Sequence, residues 1–259
     1  MLQITLTANA GILLRTERVS FLVDALHAEG IYPFSKVPQE QLQSMNAGNN
    51  VFRNVNYLVF THSHPDHYSP GVVLEYLKHN RVKRIILPEA ETMEDYDRER
   101  MLLQWIKDSN LPAWRFHQER NALHSYMLEP DVFLTAMCMP HLSERFADRN
   151  CICLLISIGN RNVLFTSDCD FQEKELFRFA NHVHIDAVFL NPYFFHADIG
   201  REILSETVCA QHIFIYHVPF AHEDILSMRA LVRQDVRKYT SMFADVQVLQ
   251  ECGQSFMIS

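Results

Sequence analysis

Residues 57–67, Tyr57-Leu58-Val59-Phe60-Thr61-His62-Ser63-His64-Pro65-Asp66-His67, contain an apolar run followed at once by a cluster of histidines. The apolar run predicts a short buried strand. A segment that begins at Gly71 predicts a helix, so the cluster lies in a turn between the two. The turn carries several side chains that can bind a metal ion: His62, His64, Asp66 and His67. Imidazole nitrogen and carboxylate oxygen are ligands that zinc prefers.

The spacing within this turn indicates two ions rather than one. His62 and His64 could hold one ion from one side, whereas Asp66 and His67 would face a second ion beside it. The alternative interpretation is a solvated polar loop. Histidine accounts for only 14 of 259 residues, and three of them stand in this short window beside a carboxylate. Composition alone does not explain that density, so the pattern favours a metal site.

Each half of the chain begins with strands and then alternates strands with helices. In the first half, strands are predicted at 4–7, 11–14, 20–24, 57–60 and 84–87, and helices at 71–77 and 91–109. In the second half, strands are predicted at 132–139, 151–158, 163–166, 185–190 and 212–216, and helices at 173–180, 201–210 and 223–239. The polar segment 30–54 predicts a long irregular loop, a kind of segment that is often functional or a lid. We expect a single domain over residues 1–259, with two sheets packed face to face and helices outside.

Composition narrows the classes of function. The net charge of −8 argues against a nucleic-acid partner. No apolar run has the length of a membrane span, and the N-terminus lacks the features of a signal peptide. None of the six cysteines forms a C-x-x-C pair, and we expect Cys151 and Cys153 to be inert core thiols. A cytoplasmic protein that acts on a small molecule fits these observations.

The motif H-x-H-x-D-H after an apolar strand resembles the signature of the metallo-β-lactamase superfamily. The resemblance implies an α+β fold, the four-layer αββα sandwich of that superfamily, over essentially the whole chain. It also implies further metal ligands, each after a later strand: His141, Asp168 and His217. Asp168 follows Ser167, where the family usually has glycine, and Asp170 is its rival. His212 and His222 are weaker alternatives to His217. Asp24, at the end of an early strand, matches the residue that supports the metal loop without binding the metal.

The resemblance assigns these ligands to two ions. His62, His64 and His141 would hold the first ion, and Asp66, His67 and His217 would hold the second. Asp168 would bridge them. The ions are expected to be divalent, with zinc favoured and manganese or iron as alternatives. A water between two such ions loses a proton near neutral pH and becomes a nucleophile. Asp66 is also the candidate catalytic residue, since it could orient that nucleophile or shuttle its proton.

Two residues outside the ligand set are candidates for substrate binding. Tyr193 and His196 follow the strand at 185–190 and are expected on the rim of the site. The alternative is that this aromatic segment fills the core. Cys169, next to Asp168, could be a ligand, but a small apolar filler is the favoured interpretation.

The function implied is hydrolysis of an ester, lactone or phosphodiester by a metal-bound hydroxide. The motif is most similar to that of small cytoplasmic hydrolases of the superfamily, which include sugar-phosphate lactonases. An iron-dependent oxidoreductase of the dioxygenase type is the first alternative, because its ligands overlap this set. An RNA-processing nuclease is the second, and the acidic balance of the chain argues against it. A scaffold without catalytic activity is the third, and the intact ligand set argues against it.

Overall fold

The computed structural model describes residues 1–29, 34–146 and 149–259. The strands are, in chain order, β1 (Leu2–Ala8), β2 (Gly11–Arg15), β3 (Ser20–Val23), β4 (Tyr57–Val59), β5 (Arg84–Leu87), β6 (Ala113–Arg115), β7 (Leu123–Glu129), β8 (Val132–Pro140), β9 (Asn150–Ile158), β10 (Arg161–Phe165), β11 (Ala187–Leu190), β12 (His212–Ile215), β13 (Val246–Val248) and β14 (Ser255–Ile258). The α-helices are α1 (Gln39–Asn46), α2 (Pro70–His79), α3 (Met93–Asp108), α4 (Pro192–His196), α5 (Asp198–Ile203) and α6 (Met228–Tyr239). Segments of 3-10 helix lie at Asn50–Phe52, Glu144–Phe146, Lys174–His182 and Thr240–Met242, and a π-helical turn at Leu204–Val208.

The chain forms two compact units, each built on one seven-stranded sheet. Unit 1 consists of Met1–Phe116, Pro219–Glu223 and Gln250–Ser259, and its strand order is β14-β1-β2-β3-β4-β5-β6. Unit 2 consists of His117–Val218 and Asp224–Leu249, and its strand order is β13-β12-β11-β10-β9-β8-β7. The prediction that residues 1–259 act as a single domain stays a prediction.

Each sheet has an antiparallel half and a parallel half. In unit 1, β14, β1, β2 and β3 pair antiparallel, and β3 to β6 pair parallel. In unit 2, β7 to β10 pair antiparallel, and β10 to β13 pair parallel. Parallel strands end at the same edge of a sheet, and ligands commonly bind outside that edge. The residues that follow β3 and β4 are therefore neighbours in unit 1, and those that follow β10, β11 and β12 are neighbours in unit 2.

The apolar face of each sheet is covered by helices of its own unit. In unit 1, α2 buries Val73 and Leu77, and α3 buries Leu102 and Ile106. In unit 2, the core cluster includes Val232 of α6 together with residues of the 3-10 and π-helical segments. Full burial of such an aliphatic side chain contributes about 1.5–3 kcal/mol. This packing holds the strand ends, and hence the loops that follow them, in fixed positions within each unit.

The structure corrects several predicted elements. The predicted loop at 30–54 contains α1 and a 3-10 turn, while residues 30–33 of that prediction lie outside the described part of the chain. The helix predicted at 223–239 begins only at Met228, because Ser227 has a left-handed φ of 57°. The helix predicted at 201–210 is α5 continued by the π-helical turn, and the one at 173–180 is of 3-10 type. Among the described residues, none of the helices has the length and apolar character needed to cross a bilayer.

Candidate metal centre

The metal-binding motif lies in a tight loop of unit 1, between β4 and α2. The backbone N–H groups of His67 and Tyr68 both donate to the His64 carbonyl, at 3.0 and 2.9 Å, and so close the turn. Pro70 occupies the start of α2, where a missing N–H costs nothing. The predicted strand–turn–helix unit is therefore confirmed. We call the four side chains that this turn presents the loop cluster: His62, His64, Asp66 and His67.

Asp24 fixes the loop cluster from the end of β3. Its carboxylate accepts the Thr61 N–H at 2.8 Å and the Thr61 hydroxyl at 2.7 Å, and Asp24 Oδ2 lies 3.0 Å from His67 Nδ1. Asp24 and His67 are both fully buried. A carboxylate can only accept, so His67 donates from Nδ1, which in a neutral imidazole leaves Nε2, on the side of Asp66, as an acceptor. This is the arrangement by which an outer carboxylate orients a metal-binding histidine.

The first two histidines of the loop cluster point their nitrogens at each other. His62 Nε2 lies 3.1 Å from His64 Nδ1, and the rings of His62 and His67, tilted by 51° to each other, have centroids 4.0 Å apart. The Thr61 hydroxyl lies 3.1 Å from His62 Nδ1, the other nitrogen of that ring. His62 and His67 are buried, whereas His64 is half-buried. Three imidazoles thus converge within one short loop, as the sequence predicts.

Asp66 is held by a residue that the sequence analysis did not identify. Asn9, in the turn between β1 and β2, donates from Nδ2 to Asp66 Oδ2 at 3.1 Å. The same Asp66 oxygen lies 3.8 Å from His67 Nε2. Asn9 is fully buried and Asp66 nearly so. A lone asparagine in a hairpin turn has no sequence signal that connects it to a loop 57 residues away.

Unit 2 brings together the other three predicted ligands, which we call the Asp168 cluster: His141, Asp168 and His217. Asp168 Oδ2 lies 3.7 Å from His141 Nε2 and 3.4 Å from His217 Nε2. All three side chains are buried. Asp168 follows β10 and His217 follows β12, so the parallel register places both at one sheet edge. His141 joins them because Leu142 N donates to the Asp168 carbonyl at 2.8 Å.

Asp168 and its rival Asp170 have different partners. Asp170 Oδ1 accepts the Gln172 N–H at 3.0 Å and so closes a local turn. Asp168 Oδ1 lies 3.5 Å from Asn191 Nδ2, which also donates to the Ser167 carbonyl at 3.0 Å. Asn191 in turn caps α4 by accepting the Phe194 N–H at 3.0 Å. Within unit 2, the geometry favours Asp168 as the residue shared by two histidines.

The His141 side chain carries a hydrogen bond that bears on metal binding. Ser143 N donates to His141 Nδ1 at 3.0 Å. In a neutral imidazole this leaves the ring proton on Nε2, the nitrogen that faces Asp168. A metal ion at Nε2 requires that nitrogen to be free of its proton. Metal binding at His141 therefore requires the Ser143 hydrogen bond to break.

The predicted substrate-binding residues lie on α4. His196 Nδ1 pairs with Asp235 Oδ2 of α6 at 2.9 Å, and Tyr193 is 42% exposed. Their role in substrate binding stays a prediction. Of the alternatives to His217, His212 pairs with Asp245 at 2.7 Å and His222 is largely exposed.

The buried cysteines of unit 2 behave as apolar fillers. Burial, with Cys151 as its neighbour, raises the pKa of the Cys169 thiol well above its usual value. Burial likewise raises the pKa of Cys153. The thiolate is the form that binds metals, so a thiol held neutral is a poor ligand. This agrees with the interpretation of Cys169 and Cys153 as core residues.

The donor chemistry of the two clusters fits divalent metal ions. Each of the seven predicted ligands belongs to a group of His and Asp side chains that could hold a metal ion. In unit 1, the partners described for the buried carboxylates of Asp24 and Asp66 are hydroxyl, amide and imidazole groups. Buried carboxylates are costly without a compensating positive charge, which a bound dication supplies.

Comparison with known proteins identifies the fold. No family model matches the chain, and no curated protein matches it significantly. Among solved structures, an isothiocyanate hydrolase from Delia radicum gut bacteria has a TM-score of 0.66 at 13% identity and covers 99% of both chains. Igni18, a metallo hydrolase from Ignicoccus hospitalis, has a TM-score of 0.62 at 12% identity, covering 100% of this chain and 99% of its own. CmlA, a diiron β-hydroxylase from Streptomyces venezuelae, has a TM-score of 0.60 at 16% identity.

These likenesses confirm the predicted metallo-β-lactamase-like αββα fold. The match to CmlA covers 99% of this chain but only 54% of the CmlA chain, so this chain spans about half of that protein. At such low identity the likeness establishes the fold, and the reaction has to be argued from the residues of the site.

Proposed function

We propose that this chain is a metal-dependent hydrolase that binds two divalent cations, zinc by preference, and cleaves an ester, lactone or phosphodiester of a small molecule. The observation that supports the proposal is the loop cluster held by Asp24, in which the buried His67 donates from Nδ1 to Asp24 and so leaves Nε2 as an acceptor. Orienting a buried histidine through an outer carboxylate is typical of metal sites.

The ligand assignment follows the resemblance stated above. By that resemblance, His62, His64 and His141 would hold the first ion, Asp66, His67 and His217 would hold the second, and Asp168 would be shared between them. The ions, when bound, supply a nucleophilic hydroxide near neutral pH and act as Lewis acids. The chain itself contributes orientation: Asp24 fixes His67, and Asn191 lies against the bridging carboxylate. Asp66, with Oδ2 held by Asn9, is the group that orients the nucleophile or moves its proton.

The fold neighbours support hydrolysis without specifying a substrate. Two of the three solved structures above are described as hydrolases, one of them acting on isothiocyanates. The diiron β-hydroxylase favours a second candidate, an iron-dependent oxidoreductase built on the same ligands. The net charge of −8 argues against RNA as the substrate. Cytoplasmic location is part of the proposal and rests on the composition.

Metal analysis and a substrate screen test the proposal together. The protein is stripped of metal, reconstituted separately with zinc, manganese and iron, and assayed on phosphodiesters, lactones, esters and thioesters. We expect two ions per chain and metal-dependent hydrolysis of substrates in at least one class.

His79→Ala is the matched control, because His79 is exposed on α2 and pairs with Glu75. Absence of bound metal, or hydrolysis unaffected by its removal, would contradict the proposal. An iron optical spectrum with oxygen consumption would favour the oxidoreductase.

A further inference from the structure

We infer that Asn9 is a positioning residue, which fixes the Asp66 carboxylate in the orientation that turns its Oδ2 towards His67 Nε2. The inference rests on the proposed function and concerns the second metal site in particular. It starts from a contact inside unit 1, the 3.1 Å hydrogen bond from Asn9 Nδ2 to Asp66 Oδ2.

The Asn9 side chain is fixed by burial and by its backbone. Asn9 is completely buried, although amide side chains are usually exposed. Its φ of 48° is left-handed, a conformation that asparagine tolerates better than most residues. The pairing of β1 with β2 shifts register between Leu6 and Ala8, immediately before Asn9. Such irregularities in a strand pair re-aim a side chain.

The turn that carries Asn9 is pressed against the end of β3. A Cβ atom on Gly11 would lie 2.1 Å from Thr7 Oγ1, 2.9 Å from Ala25 Cα and 3.0 Å from the Asp24 carbonyl. Only glycine permits this approach. The β1–β2 hairpin therefore packs directly against Asp24 and Ala25. This close packing restricts the turn from which Asn9 contacts Asp66.

The chemistry of an amide suits this task. A hydrogen bond from a neutral amide to Oδ2 restricts the rotation of the Asp66 carboxylate, and so determines which of its two oxygens lies towards His67. The same Oδ2 faces His67 Nε2 at 3.8 Å, so Asn9 also sets the spacing of two candidate ligands. An amide donor is neutral, whereas Lys or Arg in its place would repel a dication. Asparagine thus orients the carboxylate and leaves its full negative charge available.

The test uses Asn9→Gly and a matched control, Asn54→Gly. Glycine tolerates the left-handed backbone and removes the side chain together with its amide. Asn54 also has a left-handed φ, of 53°, but it is exposed, which makes it a control for the change of backbone. The zinc affinity of each full-length variant is measured by competition with a chromophoric chelator, and thermal unfolding is recorded on the metal-free proteins. We expect Asn9→Gly to weaken zinc binding by about 10–100-fold, as for other outer partners of metal ligands, and Asn54→Gly to leave it unchanged.

A double-mutant cycle with Asp66→Asn separates positioning from a general structural role. If Asn9 acts through Asp66, Asn9→Gly should cost little further zinc affinity once Asp66 is changed. Additive losses in the cycle, or wild-type affinity in a folded Asn9→Gly protein, would overturn the inference and leave the proposed function standing. A wild-type protein that binds no zinc, manganese or iron would overturn both. If Asn9→Gly does not fold, Asn9→Ser takes its place in the same cycle.

Discussion

Asp24 Oδ2 and His67 Nδ1 form a fully buried pair 3.0 Å apart, and the same Asp24 oxygen accepts the Thr61 hydroxyl at 2.7 Å. One carboxylate therefore fixes both ends of the loop that carries the candidate ligands. Its left-handed φ of 48° places this carboxylate beyond the end of β3, where it faces the loop instead of continuing the strand.

Asp24→Asn tests this relationship. Both oxygens of Asp24 accept hydrogen bonds from Thr61 or His67. In asparagine one of these oxygens becomes an NH2 group, which cannot accept, so at least one buried hydrogen bond is lost. We expect a loss of about 1–3 kcal/mol in the free energy of unfolding and weaker zinc binding by about 10–100-fold. Urea unfolding of the metal-free protein and zinc competition measure the two effects. Unchanged values for both would mean that Asp24 does not support the loop.

His64→Ala should abolish turnover and leave the fold intact. His64 is half-buried in a loop, so its removal opens no core cavity. We expect activity to fall by more than about 100-fold, beyond the effect typical of residues outside the ligand set. Turnover and circular dichroism are compared with those of the His79→Ala control. Wild-type activity in a metal-replete His64→Ala protein would show that the first ion is assigned wrongly.

Asp168→Asn should cost more metal than Asp170→Asn. The Asp168 carboxylate faces two histidines, whereas Asp170 accepts a local backbone N–H. Amide replacement at a bridging position removes the negative charge shared by two dications, so one site should empty. Metal content per chain, measured side by side, decides between them. Metal loss in Asp170→Asn alone would move the bridging role to that residue.

Zinc binding should expose the backbone amide of Ser143. This N–H donates to His141 Nδ1 at 3.0 Å, and coordination of a metal through Nε2 would require a proton on Nδ1 instead. We expect faster hydrogen exchange at Ser143 in the presence of zinc, while the amides of β8 and β9 stay protected. Equal exchange rates with and without zinc would indicate that His141 does not bind through Nε2.

Tyr76→Phe should stabilise the protein, and more so at alkaline pH. Tyr76 is fully buried on α2, and within the described residues its hydroxyl has no hydrogen-bond partner. Removing that group should raise the free energy of unfolding by about 1 kcal/mol. Burial also raises the pKa of Tyr76 well above its usual value. Above about pH 10, the ordinary tyrosine pKa, the unfolded chain releases a proton that the folded chain retains, so wild-type stability falls as pH rises.

Urea unfolding at neutral and alkaline pH measures both effects. The advantage of Tyr76→Phe should widen as pH passes the ordinary tyrosine pKa. A constant difference between the two proteins across that range would contradict the pH dependence, and a destabilised variant at neutral pH would contradict the account of the buried hydroxyl.

Parts of the fold escaped prediction because tertiary contacts stabilise them. The helix α1 lies within a predicted loop: it has no side-chain cap, and Met45 is its one fully buried residue among those described. A helix this short gains its stability from packing and not from local propensity. The start of α6 is set by Asp224, whose carboxylate accepts the N–H groups of Met228 and Arg229 at 2.7 and 2.9 Å. The hydrophobic periodicity of the sequence indicates neither the presence of α1 nor the residue at which α6 begins.

The sequence by itself determined the loop cluster, because His62, His64, Asp66 and His67 lie within six residues and need only one turn to converge. The family resemblance, which places each further ligand after a later strand, indicated the members of the Asp168 cluster. Asp168 and His217 follow parallel strands, which end at a common edge of the sheet. Only the tertiary structure decided which side chains hold these ligands. Asn9 reaches Asp66 across 57 residues, and Asn191 reaches Asp168 across 23. Such contacts depend on register, on a left-handed turn and on the space beside Gly11, which are consequences of packing that no local pattern of residues encodes.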